Sequence, residues 1–342
     1  MLLSTSAASL FAQSSLIATL SHEGEVKMFY GALALQQAHN AATHGDVITL
    51  SSGTFLSTTI TKAITLRGAG FKSDVDNGVF STNISGISYI NIQEDSDFKL
   101  TIEGLYLGQD LYVKSDLTNA TFAKCRFYSI HFQGNGTNAQ FVHCKINNIS
   151  YSGGGAGNNI FSFINSYVRF PRFSHSSVTS EFQNCIVDCY HTDAGSYSYK
   201  PKDIGAAKLS NCIIVGASEE SAYYNRYKEG FSSSVSAYKC MALNFTFNIW
   251  QNVSSPNVYA TTGIAKVFKT LNGDCSETET FELTDEAKAK YLGLDGTEIG
   301  IYGGSLPFDP KTSAPQITKF NVASKSTVDG KLSVDIEVKG VE

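Results

Sequence analysis

The stretches TFAKCRF (121–127), QFVHCKI (140–146), FSFINSYV (161–168), EFQNCIV (181–187), KLSNCII (208–214) and AYKCMAL (237–243) decide the fold. Four share the pattern apolar, two residues, small, one residue, apolar: Phe122, Cys125, Phe127; Phe141, Cys144, Ile146; Phe182, Cys185, Val187; Leu209, Cys212, Ile214. In FSFINSYV, Ser166 occupies the cysteine position, and Cys240 carries the series onward. An uninterrupted strand alternates with period two, so the three-residue step breaks phase and the chain must bend there. Asn165, Asn184 and Asn211 sit at the bend, and asparagine is the non-glycine residue that best tolerates left-handed backbone. The small residues recur at intervals of 19, 22, 19, 27 and 28 residues. A repeat of that length marks a solenoid, with cysteine as a small buried filler repeated up the stack. An antiparallel sandwich with accidental similarity between strands is the alternative. Cys189 and Cys275 fall outside the series, no CxxC pair occurs, and reduced thiols without a zinc site are expected.

With this pattern the chain resembles the right-handed parallel β-helix proteins of pectate-lyase type, whose asparagine corner and stacked interior ladder look like the steps at Asn165, Asn184 and Asn211. The segment ALALQQAHNAATHGDVITLSSGTF (32–55) is similar to the start of such helices, where an amphipathic helix caps the open end. Leu33, Leu35, Ala38, Ala41 and Ala42 have helical spacing, Gly45 stops the helix, and Val47, Ile48 and Leu50 begin a strand. Further coils fit ITLRG (64–68), ISYINI (87–92) and LTIEGLYLG (100–108). Pro307, Pro310 and Pro315 form an extended connector, and ITKFNVAS with KLSVDIEV reads as a hairpin with Leu332, Val334, Ile336 and Val338 on one face. DGTEIGIYGGSLPFDP (295–310) followed by such a hairpin also resembles the tail of secreted β-helix proteins from gut anaerobes. The expected fold is all-β: one right-handed parallel β-helix of about ten coils with an N-terminal helical cap and a C-terminal β-hairpin. Residues 1–13 read as a signal-peptide remnant, 14–305 as the β-helix with its cap, and 306–342 as connector and hairpin.

Composition sets the outer limits. The chain has 342 residues, of which 17% are charged, 42% hydrophobic and 12% aromatic, with a formal net charge of −5. That excludes a disordered chain and a protein that coats nucleic acid by bulk charge. No apolar run is long enough to cross a bilayer. MLLSTSAASLFAQ lacks a basic start but is otherwise leader-like, so a secreted or cell-surface location is expected, as a monomer.

Two long loops, DCYHTDAGSYSYKPKD (188–203) and GASEESAYYNRYKEGF (216–231), follow the second strand of consecutive units. By the resemblance, loops at that corner border a groove that holds an extended polysaccharide. Tyr190, Tyr197, Tyr199, Tyr223, Tyr224 and Tyr227 concentrate there, and tyrosine offers sugars a flat face and a hydroxyl; packing of the loops on the solenoid is the other reading. His131, between Ile130 and Phe132, faces the groove if those two point inward.

Catalysis is weaker in the sequence. Arg172, His191, Lys200, Asp193 and Asp203 are the candidates for a polysaccharide lyase or glycoside hydrolase. Residues 169–230 carry seven Lys or Arg and seven Asp or Glu, so no cationic funnel neutralises a uronate. The RxPxxR signature of the lyases is incomplete, with Arg169 and Pro171 present but Ser174 in place of the second arginine. Asn-Thr-Asp, Asp-Asp and Gly-His-Gly hydrolase motifs are absent, and His191-Thr192-Asp193 only echoes the first. DVDNG (74–78) starts like a calcium loop but has Ser85 where the distal Glu belongs, so no cofactor is expected, calcium being the one to test. The expected function is carbohydrate interaction with a glycan partner; an enzyme in the same groove and a structural adhesin or spacer are the alternatives.

Overall fold

The computed structural model describes residues 16–73, 80–93, 97–154, 157–173, 175–189, 201–216, 229–245, 247–260, 263–271, 279–311, 316–322, 330–331 and 334–339. Two parallel ladders dominate it. The first stacks Val47–Leu50, Thr65–Arg67, Thr101–Glu103, Ala120–Ala123, Asn138–Val142, Asn159–Ile164, Val178–Gln183, Ala206–Ser210 and the start of Val235–Leu243. The second stacks Gly53–Leu56, Thr82–Ser85, Tyr106–Val113, Arg126–Phe132, Lys145–Tyr151, Tyr167–Arg169, Ile186–Asp188, Ile213–Val215 and the end of Val235–Leu243. The chain visits the ladders alternately, which makes the architecture all-β, largely parallel and solenoid-like.

Equivalent positions lie over one another. Phe122, Phe141, Phe163 and Phe182 are in register on the first ladder, and their rings stack at 4.9, 5.0 and 4.6 Å. These are offset-stacking distances close to the strand spacing of about 4.8 Å.

The corners between ladders are left-handed. Gly104, Lys124, His143, Asn165, Asn184, Asn211 and Lys239 have φ of 69°, 52°, 54°, 45°, 51°, 55° and 53°. Each immediately precedes its unit's buried residue: Leu105, Cys125, Cys144, Ser166, Cys185, Cys212 or Cys240. Asparagine is therefore one of several corner residues, and a lysine or histidine there carries roughly 1–2 kcal/mol of backbone strain. Two contacts offset it. The corner amide donates across coils, as from Lys124 to Val142 O at 2.8 Å and from Asn165 to Gln183 O at 3.0 Å. The buried side chain donates back to the carbonyl two residues earlier: Cys125 to Ala123 at 3.2 Å, Cys144 to Val142 at 3.4 Å, Ser166 to Ile164 at 2.8 Å, Cys185 to Gln183 at 3.2 Å and Cys212 to Ser210 at 3.2 Å. Small size alone does not explain the cysteines; they are compact donors that close the turn. Burial holds the Cys125, Cys212 and Cys240 thiols well above their usual range and pushes Cys144 up to about 12, so these thiols stay protonated. No disulfide joins the cysteines among the described residues.

A hairpin that the sequence reading did not anticipate closes the first edge. Ile17–His22 pairs antiparallel with Glu25–Tyr30 and also with Val47–Leu50. Helix α1, Ala34–Ala41, packs on both hairpin strands and on Val47–Leu50. It buries Ala34, Leu35, Ala38 and His39, whereas Leu33 is exposed at its start. Lys62 Nζ binds the helix's terminal carbonyls, His39 at 2.8 Å, Asn40 at 3.2 Å and Ala42 at 2.7 Å, opposing the negative end of the helix dipole. At the other end of the chain, Gln316–Val322 pairs antiparallel with Val334–Lys339. The side-chain faces expected for that pair, and residues 1–13, lie outside the described residues.

From Ile264 to Phe308 no strand of the described residues joins either ladder. This segment, here called the strap, instead lies over the outer face of the second ladder. Tyr167, Ile186, Ile213, Val215, Met241 and Leu243 form a second core with Val267, Phe268, Phe281, Leu283, Ile299 and Ile301. The corner asparagines fasten it. Asn165 Nδ2 donates to Ile301 O at 2.8 Å and Gly303 O at 2.7 Å, while Asn211 Oδ1 accepts from Leu294 N at 2.9 Å. Gly304, at φ 79°, passes so close to Asn184 that a Cβ would sit 2.1 Å from its amide nitrogen.

Two outcomes test these assignments. Asn165→Gly keeps the left-handed corner but removes both strap bonds, so it should cost about 2–4 kcal/mol in denaturant unfolding and speed proteolysis between residues 291 and 306. His39 Nε2 accepts from Thr61 N–H at 3.1 Å, and burial lowers its pKa from 6.5 to about 4. The unfolded chain therefore binds the extra proton between those values. Stability should be complete above pH 6.5, fall as pH drops toward 4 by roughly 3 kcal/mol, and level off below; His39→Gln should flatten that part of the profile.

Candidate ligand-binding surface

Facing solvent, the second ladder carries a straight column. Tyr89, Tyr112, His131, Ser150 and Arg172 occupy matching positions in successive coils. Flanking residues Leu111, Val113, Ile130 and Phe132 are buried, so alternation turns Tyr112 and His131 outward. His131 thus points outward, the condition on which its candidacy rests. The column reaches the next coil at the turn Pro201–Ile204, where Phe173 N–H donates to Asp203 O at 2.7 Å. His131, Arg172 and Asp203 are thus brought onto one flank of the solenoid. Tyr190, His191, Asp193, Tyr197, Tyr199, Lys200, Tyr223, Tyr224 and Tyr227 lie outside the described residues, as does DVDNG. Next to the turn, Lys202 pairs with Glu229, which raises the lysine's pKa.

The column's rings are packed against one another. Tyr89 and Tyr112 stack at 5.7 Å, Tyr112 and His131 at 4.9 Å, and Lys114 Nζ lies 4.5 Å over Tyr89. The ring faces are therefore largely occupied, and what the column offers outward is ring edges, hydroxyls and charge. Tyr112 Oη donates to Asp110 Oδ2 at 3.3 Å, and that carboxylate raises the tyrosine's pKa. His131 Nδ1 bonds Ser150 Oγ at 2.9 Å, and its Nε2 is 3.7 Å from Asp110 Oδ1. Asp110, His131 and Ser150 contain the residue types of a nucleophile relay, but the Asp–His separation exceeds hydrogen-bond reach.

Sequence reasoning passed over Tyr89, Tyr112, Asp110 and Ser150. The coil placed at LTIEGLYLG stopped at residue 108, whereas the strand runs through Tyr106–Val113 past a register shift between Leu107 and Asp110. Continuing the repeat alignment across that irregularity would have found Tyr112.

Arg169, the matching arginine of the incomplete lyase signature, is committed inside. Its Nε lies 3.3 Å from Asp188, a fully buried carboxylate that also accepts from Tyr167 Oη at 2.6 Å. The guanidinium rests 4.5 Å over the Phe170 ring. Charge here is neutralised within the wall, at a distance from the exposed column.

A cavity of about 460 Å³ opens between the second ladder and the strap, lined by Tyr106, Arg126, Lys145, Tyr302 and Phe308 among others. Arg126 lies 4.6 Å over Tyr106, and Lys145 Nζ donates to Glu279 O at 2.8 Å. Another cavity, of about 480 Å³, is lined by Phe98, Ser115, Asp116 and Thr118, with no cationic group among its described lining residues. Among the described residues no group of three or more His, Cys, Asp or Glu could hold a metal ion, and no helix is long and apolar enough to cross a membrane. No family model, curated protein or solved structure matches the chain.

The buried Tyr167–Asp188 bond has a measurable consequence. Tyr167→Phe should lower stability by about 1–3 kcal/mol, because it removes a donor from a carboxylate that water cannot reach. Tyr112→Phe, which removes a hydroxyl at the surface, should cost under about 0.5 kcal/mol in the same denaturant titration.

Proposed function

We propose that this chain is a right-handed parallel β-helix, capped by α1 and ended by the C-terminal hairpin, and that it is secreted or displayed at the cell surface to bind a glycan chain. The observation that carries the reading is the column Tyr89, Tyr112, His131, Ser150 and Arg172, with Asp110 beside it. It presents hydrogen-bonding groups at the coil interval along an exposed face, so its natural complement is an extended polymer that repeats hydroxyls along its length. The turn Pro201–Ile204 sits beside Arg172, with Phe173 N–H bonded to Asp203 O. In this reading the tyrosines of the two long loops are the candidates to stack on sugar faces. Binding is favoured over lyase or hydrolase chemistry because the described part of the column has Asp110 without a second carboxylate facing it across a bond-sized gap.

Affinity electrophoresis through gels containing neutral or acidic polysaccharides tests the proposal. Retardation by at least one glycan is expected, reduced about tenfold in affinity by the pair Tyr112→Ala and His131→Ala, the size of loss that one or two polar contacts give. Retardation by none of them, or equal retardation of the folded double variant, would remove the column from the binding surface. Unsaturated ends absorbing in the ultraviolet after incubation with uronate polysaccharides would replace binding by lyase activity.

A further inference from the structure

Corner side chains lace the strap to the coils in reversed order. Lys124 meets Asp309 at 3.8 Å, His143 Nε2 meets Leu306 O at 3.1 Å, Asn165 holds Gly303 O at 2.7 Å and Asn211 holds Leu294 N at 2.9 Å. Successive coils therefore fasten the strap from its carboxy-terminal end backward. The asparagine contacts are amide hydrogen bonds, indifferent to pH. His143 is different, because an imidazole changes charge between about pH 5 and 8.

Geometry fixes how the proton sits on this ring. Leu306 O can only accept, so Nε2 carries the hydrogen and Nδ1 the lone pair. The side chain is 7% exposed, its ring centre lies 6.0 Å from that of Phe308, and Nδ1 is buried without a hydrogen-bond partner among the described residues. Two charged groups face it. Lys124, from the preceding coil, opposes a charge on His143, and Asp309, on the strap, favours one. Asp309 is shared, since it also accepts from Lys311 N–H at 2.9 Å. Lys145 on the adjoining strand is turned to the Phe308 ring, at 6.0 Å, and to Glu279 O. Beyond Lys311, the residues Thr312, Ser313, Ala314 and Pro315 carry no ionisable side chain. Burial outweighs the favourable contacts and holds the imidazole's pKa below its ordinary 6.5.

Released from the strap, the same ring meets water and titrates near 6.5. As pH falls below that value, the released state takes up a proton that the docked state refuses. The opening constant then rises by up to about tenfold per pH unit, until the docked imidazole titrates as well. We propose that the strap is an acid-opened latch: a proton on His143 frees the end from Gly304 to Asp309, while Asn165 and Asn211 keep the remainder in place. Phe308 lines the cavity between ladder and strap, so opening widens that cavity. The latch is separate from the exposed column and does not depend on glycan binding there.

Hydrogen exchange read by mass spectrometry, corrected for the intrinsic pH dependence of exchange, tests it. Gly304 N–H is bound to Thr297 Oγ1 at 2.6 Å and Phe308 N–H to Ile301 O at 2.8 Å, so both amides report the latch. Between about pH 7.5 and 5.0 the opening constant of peptides over 303–309 should rise at least about threefold, and that of peptides over 291–296 should rise less. His143→Asn suits a left-handed corner and replaces the imidazole by an amide, so it should flatten the rise. Lys124→Asn removes the charge that opposes protonation, so it should shrink the rise, and it keeps the test decisive if the His143 variant perturbs the stack. His39→Gln, at the other end of the solenoid, should leave the rise intact. No acid-dependent opening in the unaltered chain, an equal rise in folded His143→Asn, an undiminished rise in Lys124→Asn, or one that disappears in His39→Gln would overturn the proposal.

Discussion

Everything in this molecule depends on a left-handed corner that can be repeated. Each coil must turn from one ladder to the other within one or two residues, and for an L-amino acid that turn is strained. The corner becomes tolerable because its amide reaches the neighbouring coil and because a thiol or hydroxyl one residue later closes onto the carbonyl behind it. Once those groups are in place, each coil delivers its inward residue over the previous one, and the stack of rings from Phe122 to Phe182 follows from geometry. Cooperation between neighbours substitutes for a favourable conformation at any single residue.

The same corners also face outward, and there they acquire a second use. The side chains of Asn165 and Asn211 do not return to their own turns; they hold a segment more than eighty residues further along the chain. The strap shields the apolar outer face of the later coils, where Ile186, Ile213 and Val215 would otherwise meet water. The polar column from Tyr89 to Arg172 lies on the same ladder but takes no part in that second core. One ladder is thus divided into a covered part and an exposed part, with a ring-lined cavity between ladder and strap. The glycan-binding surface that we propose is a consequence of where the strap lies.

Protection of the sheet ends follows a parallel logic. Parallel coils leave unpaired amides at the first strand, and the antiparallel hairpin Ile17–Tyr30 with α1 covers them. Helix α1 is short and has no side-chain cap at its start, so its stability comes from docking and from the Lys62 ammonium on its last carbonyls. Burial of His39 in that contact makes the end of the solenoid sensitive to acid.

Local patterns alone determined a good deal. The three-residue step before each cysteine, the interval between steps and the asparagine ahead of the small residue specified parallel coils and the left-handed corner, because each is a property of a few adjacent residues. Helix α1 was legible for the same reason. What only the tertiary structure decided depends on residues far apart in the chain: the strap on Asn165 and Asn211, the closure of Asp188 by Tyr167 and Arg169, the lining of the cavity, and the alignment of Tyr89, Tyr112, Ser150 and Arg172. Such contacts leave no periodic trace, since a corner asparagine reads the same whether its amide meets water or a carbonyl 136 residues away. The column was hidden by a smaller cause, the register shift after Leu107, which moves a side chain from one face of a strand to the other without altering its composition.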